Sequence, residues 1–176
     1  SMKQLIKILL TAIFFIKASF PVFTVELSGK NFNDWTAFSC FMASQAIKME
    51  AFKDGERLSS VNRDIGRLYV TKNRANSNKF ESTYFAGYPL KAGSQATIKI
   101  DNKVSFVLFA HPKPSDSKEK SYAWAHPNKD IALIDALKRG NKAVVEARSH
   151  TNKITKDSFS LTGFSKSLEM LKKSCK

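Results

Sequence analysis

Histidine and cysteine are scarce: the chain has 3 histidines and 2 cysteines in 176 residues. No two of them stand at the spacing of a metal framework such as C-x-x-C or H-x-x-x-H, so no metal motif is readable and no cofactor is expected. Acidic residues are also few, 15 against 29 lysines and arginines, which leaves a formal net charge of +14. Internal repeats and low-complexity linkers are absent, and no apolar run approaches the ~20 residues needed to span a bilayer. What remains, 43% hydrophobic and 25% charged residues, is the composition of a globular chain whose length suits one domain around a single core.

The first residues are a separate case. Ser1 ahead of Met2 is set aside as an addition to the natural start. Lys3 and Lys7 then precede the uncharged run "ILLTAIFFI" (8–16), which lacks the polar face of an amphipathic helix. A positive start followed by a short apolar stretch and small residues is the pattern of a secretory signal peptide, assigned here to residues 1–24. Its removal takes away Lys3, Lys7 and Lys17 and no acidic residue, so the charge falls from +14 to +11 and the domain over 25–176 stays basic. Such a field favours polyanions. Nucleic acid is the weaker partner reading, because the lysines are scattered and no basic-plus-aromatic motif recurs.

Beyond residue 25 the dominant period is two. "SQATIKI" (94–100) places Ala96, Ile98 and Ile100 on one side, and "KVSFVLF" (103–109) does the same with Val104, Phe106 and Leu108. Asp101 and Asn102 between them tolerate the left-handed backbone of a tight hairpin turn. Further strands are expected over 35–48, 66–72, 80–88, 121–125, 142–149 and 154–161. "KNRANSNK" (72–79) and "HPKPSDSKEKS" (111–121) read as exposed loops. Two segments change period. Over 128–141, Ile131, Ile134 and Leu137 recur at helical spacing, with Gly140 placed for a left-handed C-cap. In the tail, Phe164, Leu168 and Leu171 form one stripe of a closing helix. The expected fold is mainly β: a single antiparallel sandwich or barrel-like domain with two short helices, one of them C-terminal.

Cys40 lies in "SCFMASQ" (39–45) and Cys175 is the penultimate residue. As a nucleophile Cys40 would need a base. The only imidazoles are His111, His126 and His150, the first two preceding proline in loops. An oxidising compartment and an even cysteine count favour a Cys40–Cys175 disulfide instead.

Several features occur together in order: Asp34-Trp35, "CFMAS" (40–44), Gly87-Tyr88-Pro89, Ala123-Trp124, "DIALIDALKRGNKAVVEARS" (130–149), "DSFSLTGF" (157–164) and a terminal cysteine. In order and spacing the chain resembles the invasion-associated locus B family of exported bacterial proteins. The resemblance implies a signal peptide, a compact β-sandwich-like domain, and residence in the periplasm or outer envelope of a Gram-negative bacterium. The family takes its name from host-cell invasion, which is a phenotype and not a chemistry. Many relatives carry Arg-Gly-Thr where this chain has Thr151-Asn152-Lys153, and Asn152 suits the left-handed position that glycine fills in them. The most specific motif comprises Asp157, Ser160, Leu161, Gly163 and Phe164. Within it Asp157 is read as fixing a turn through backbone amides, Gly163 as permitting a tight approach, and Phe164 as an anchor. Trp35, Tyr88 and Trp124 are the candidate binding aromatics, with core packing as the competing role.

No catalytic residue is assigned. The sequence points to an exported, non-enzymatic binding or accessory protein whose basic surface meets an anionic envelope component or a protein partner. An envelope hydrolase or transferase with an unrecognised site is the alternative.

Overall fold

Two adjacent strands of the sequence lie near opposite ends of the sheet, and that one fact sets the architecture. In the computed structural model, which describes residues 29–72 and 79–175, the strands are β1 (Lys30–Phe32), β2 (Trp35–Ala37), β3 (Phe41–Gln45), β4 (Lys48–Lys53), β5 (Glu56–Arg57), β6 (Arg67–Lys72), β7 (Phe80–Phe85), β8 (Gln95–Ile100), β9 (Val104–Ala110), β10 (Tyr122–Ala125), β11 (Lys142–Arg148) and β12 (Ile154–Ser160). Helices α1 (Asp130–Arg139) and α2 (Phe164–Ser174) and a short 3-10 turn at Glu119–Ser121 are the other described elements. All ladders are antiparallel, in the order β1-β2-β3-β6-β7-β10-β9-β8-β11-β12-β4-β5. The chain passes from β3 into β4 through Ala46 and Ile47, whose amides donate to Gly66 O and Ser158 O, each at 2.8 Å. The sheet therefore curls back on itself, giving a sandwich-like roll that is not closed by hydrogen bonds. Its edge strands β1 and β5 are only 3 and 2 residues long, which leaves little unpaired backbone for another chain to extend.

The inward positions form one core. Ala96, Ile98 and Ile100 are buried together with Met42, Leu68, Val70, Leu108, Val145 and Phe159. At the β8–β9 turn Asp101 and Asn102 have φ of 48° and 58°, the geometry expected of a primed hairpin turn. Asn152 likewise sits at φ 61°. Helix α2 buries Phe164, Leu168 and Leu171 as its pattern predicts.

Three local expectations change. The predicted strand over 35–48 is β2, β3 and the first residue of β4, broken by a bend at 39–40 and again at 46–47, where the chain crosses to the other end of the sheet. Gly140 is extended, at φ −87°; it is needed for closeness, since a Cβ there would lie 2.4 Å from Ile100 Cγ2. Ile131 is 79% exposed, while Leu133, Ile134, Ala136 and Leu137 are buried. A row taken at i+3 drifts round a helix, so the stripe counted from Ile131 begins off the buried face. The assigned signal peptide and most of the 72–79 zone lie outside the described residues.

Candidate binding face and the buried charge network

On one half of the roll the outward positions are aromatic where water would favour polar groups. Register aligns Ala43, Tyr69, Thr83, Trp124 and Phe109 in one row across β3, β6, β7, β10 and β9. The next row carries Gln45, Arg67, Phe85 and Tyr122. The rings form two groups. Phe38 stacks on Phe41 at 4.4 Å, with Tyr69 6.3 Å from Phe41. Tyr122 lies 5.1 Å from Phe85 and 6.0 Å from Trp124. The Arg67 guanidinium covers Phe85 at 5.8 Å, within cation–π range.

Two grooves run over this face, of about 570 and 520 Å³. Both have Phe41 and Tyr69 in their walls, so the two adjoin at these rings, and together they make up the trough. The rim of the second groove is the 115–119 loop, which is held by its own hydrogen bonds. Ser115 N and Oγ donate to Glu119 Oε2 at 2.5 and 2.9 Å, and Glu119 N donates to Asp116 Oδ1 at 2.7 Å. The Ser115 bonds hold the Glu119 carboxyl below its ordinary range, while burial pushes the Tyr69 phenol up.

Inside the roll lies a second polar assembly. Asp157 is completely buried, in the middle of β12, with Ser158 and Phe159 buried beside it. Its carboxylate accepts from both terminal nitrogens of Arg63, one of these bonds at 2.9 Å, and from Tyr84 Oη at 2.7 Å. Arg63, from the 58–66 connection, also donates to Ala86 O at 2.6 Å, and its Nε is buried with no partner among the described residues. The Tyr88 ring faces the guanidinium at 5.1 Å, and its hydroxyl meets Thr155 Oγ1 at 2.5 Å. Burial pulls the Arg63 pKa down, but the Asp157 hydrogen bond and charge outweigh it and hold it above its ordinary value. Burial raises Tyr84 strongly and takes Tyr88 to about 12. Two close approaches make room for the assembly: a Cβ on Gly66 would lie 2.1 Å from Asp157 Oδ2, and one on Gly87 would lie 2.2 Å from Asp64 O.

The residues singled out by sequence divide between these places. Asp157 fixes no turn; it is a fully buried carboxylate inside the roll, because an inward position of β12 faces Tyr84 of β7 and the inserted Arg63. Trp35, Tyr88 and Trp124 do not share a groove. Trp35 is fully buried, donates from Nε1 to Ser160 O at 3.0 Å, and meets Phe164 edge-on at 4.9 Å. Tyr88 belongs to the Arg63 network, and only Trp124 lies on the outer face. Leu161 and Phe164 are core, and Gly163, at φ 93°, would place a Cβ 1.7 Å from Phe32 O. Cys40 and Cys175 form the disulfide, with Cα atoms 4.7 Å apart. His111 faces Glu119, His126 meets Asn128, and His150 meets Pro89 O, in three separate loops. Among the described residues no three His, Cys, Asp or Glu side chains gather as a metal would require.

Sequence reasoning passed over Phe41, Arg67, Tyr69 and Tyr122. Their signal is present: in "YAWA" both alternating sets are apolar or aromatic, and in "RLYVTK" the set opposite Leu68 and Val70 carries Tyr69 between Arg67 and Thr71, so neither outward set is purely polar.

No curated protein and no solved structure matches the chain. A family model described as invasion associated locus B protein matches residues 56–172. That stretch holds Arg63, Gly87-Tyr88-Pro89 and Asp157-Ser158-Phe159-Ser160, the motifs that meet in the buried network. The chain belongs to the invasion associated locus B family.

Proposed function

We propose that this is an exported, non-enzymatic binding module of the bacterial envelope, and that the aromatic trough over β3, β6, β7 and β10 is where it binds. The observation that carries the reading is a preformed groove floored by half-buried rings on a sheet face otherwise open to water. A protein gains nothing in water from leaving such rings uncovered, and a ligand that covers them gains their burial. The excess of basic residues supports an anionic partner, in the envelope or on a host surface. Enzymatic chemistry receives no support from Asp157, the most deeply buried carboxylate, because Arg63 and Tyr84 occupy its oxygens. No described helix is long and apolar enough to cross a membrane.

The test is capture of envelope extract on the immobilised full chain at low and high salt, alongside Tyr69→Ser and Trp124→Ser variants. Anionic material retained at low salt, released at high salt and lost from both variants is the expected result. Retention that ignores the two substitutions would remove the trough from the account.

A further inference from the structure

Beside the buried charge network, and apart from the trough, a cavity of about 250 Å³ lies between the 58–63 segment and the turn that joins β11 to β12. We infer that it is a second binding site, one that takes a single phosphate group, free or as a monoester. Arg63 and Lys153 both line it, and no carboxylate among the described residues does. Asp157 answers the Arg63 charge, so Lys153 sets the sign of the cavity. Lys91, whose Nζ lies 3.4 Å from Asn152 Oδ1, adds a cation beside the same turn. The volume falls below the roughly 300–1,000 Å³ of pockets for drug-sized ligands, which suits one small group and not a length of polymer.

A count of donors separates an anion from a neutral ligand. The Arg63 side chain is 5% exposed. Its terminal nitrogens go to Asp157 and Ala86 O, whereas its Nε is buried with no acceptor among the described residues. A buried N–H in that condition destabilises the fold, and an acceptor brought in beside it offsets the cost. Ser149 Oγ accepts from Lys153 N at 2.9 Å and meets Thr151 Oγ1 at 3.1 Å. That contact uses one of two hydroxyl protons, so the pair keeps one to give, whichever of them donates. The Lys153 ammonium adds donors and no acceptor. Tyr88 and Thr155 add nothing, because their mutual bond at 2.5 Å and the Thr155 bond to Ala147 O at 3.5 Å use both protons. A sugar hydroxyl must give as well as accept and finds little here to give to. A phosphate dianion only accepts, and its charge is the one that Lys153 favours.

The test is a nuclear magnetic resonance titration of the full chain with inorganic phosphate, glycerol 3-phosphate and glycerol in separate arms. Both phosphates are expected to move the amides of residues 60–63 and 149–153 and the Arg63 Nε–H resonance, and to saturate. Glycerol should move none of them. Lys153→Ala should weaken phosphate binding about tenfold or more, the scale of one charged hydrogen bond, and Lys153→Arg should restore most of it. Lys103→Ala removes the same charge from the turn that meets the other end of β11 and should leave the affinity unchanged. Tighter binding of glycerol 3-phosphate would support the site and name a monoester, whereas equal or weaker binding would support it and name the free ion. Shifts that rise without saturating, or an equal loss in Lys153→Ala and Lys103→Ala, would overturn the site and leave only diffuse attraction to a basic surface. Saturable binding that leaves 149–153 and the Arg63 Nε–H unmoved would also overturn it. Should Lys153→Ala fail to fold, the shift map of the unsubstituted chain decides by itself. None of these outcomes bears on the trough, which Tyr69→Ser and Trp124→Ser test separately.

Discussion

The two outward faces of the roll obey the same two-residue period and differ in what they show to water. Over β4, β11 and β12 the outward residues satisfy one another. Lys156 pairs with Glu146 at 3.4 Å and covers Phe52 at 5.3 Å, while Glu50 receives Lys48 at 3.0 Å and Arg57 at 3.3 Å. The Lys48 hydrogen bond holds the Glu50 carboxyl below its ordinary range. Over β3, β6, β7 and β10 the same positions carry Phe41, Tyr69, Phe85, Tyr122 and Trp124, and grooves run over all of these but Phe85. The first face is complete in solvent, whereas the second has contact area left to give. Burial pattern alone does not separate them; side-chain chemistry at the outward positions does.

Both faces depend on the interior that sets their curvature, so the largest effect expected is loss of that interior. Arg63→Ala leaves Asp157 buried without its cation, and such a break costs about 3–5 kcal/mol, read as a fall in the urea midpoint. Both faces should fail together. Reduction of Cys40–Cys175, whose loop spans 135 residues, should lower stability by about 2–5 kcal/mol in the same assay with and without reductant. It frees α2 from the strand that leads into the trough.

Alkaline titration tests the interior without mutation. Burial raises the Tyr88 pKa from 10.0 to about 12 and holds Tyr84 well above its ordinary value. Their neutral forms are favoured by folding, so this stability is intact below pH 10 and declines as pH rises toward 12. Tyr88→Phe, which keeps the ring over Arg63, should flatten that decline in a pH series of unfolding midpoints. The smallest effect contrasts the faces themselves. Glu146→Gln should cost about 0.2–1 kcal/mol, as exposed ion pairs do, and leave envelope capture unchanged, whereas Tyr69→Ser should abolish capture at a similarly small cost in stability.

Much of the frame was readable. Asp101-Asn102 announced its hairpin because the two residue types that tolerate a left-handed backbone stood between two alternating runs. Phe164, Leu168 and Leu171 announced α2 through local periodicity. What escaped depended on long-range placement. Nothing near Asp157 reveals that Arg63, 94 residues away, comes to lie beside it, and a carboxylate next to serines in a strand resembles a turn former. Gly140 was assigned to left-handed geometry because a glycine after a helix has that local use, while its actual constraint, Ile100, comes from another strand. The aromatic face was the hardest to see. Its aromatics look like core residues until the register shows which of them point outward, as Trp35 and Trp124 demonstrate in opposite directions.

The most direct test is an amide chemical-shift map of the full chain with the envelope material that it retains at low salt and releases at high salt. The account predicts perturbations concentrated at Phe41, Arg67, Tyr69, Tyr122 and Trp124, with Glu146 and Lys156 unmoved. Perturbations centred on β11 and β12 would contradict it.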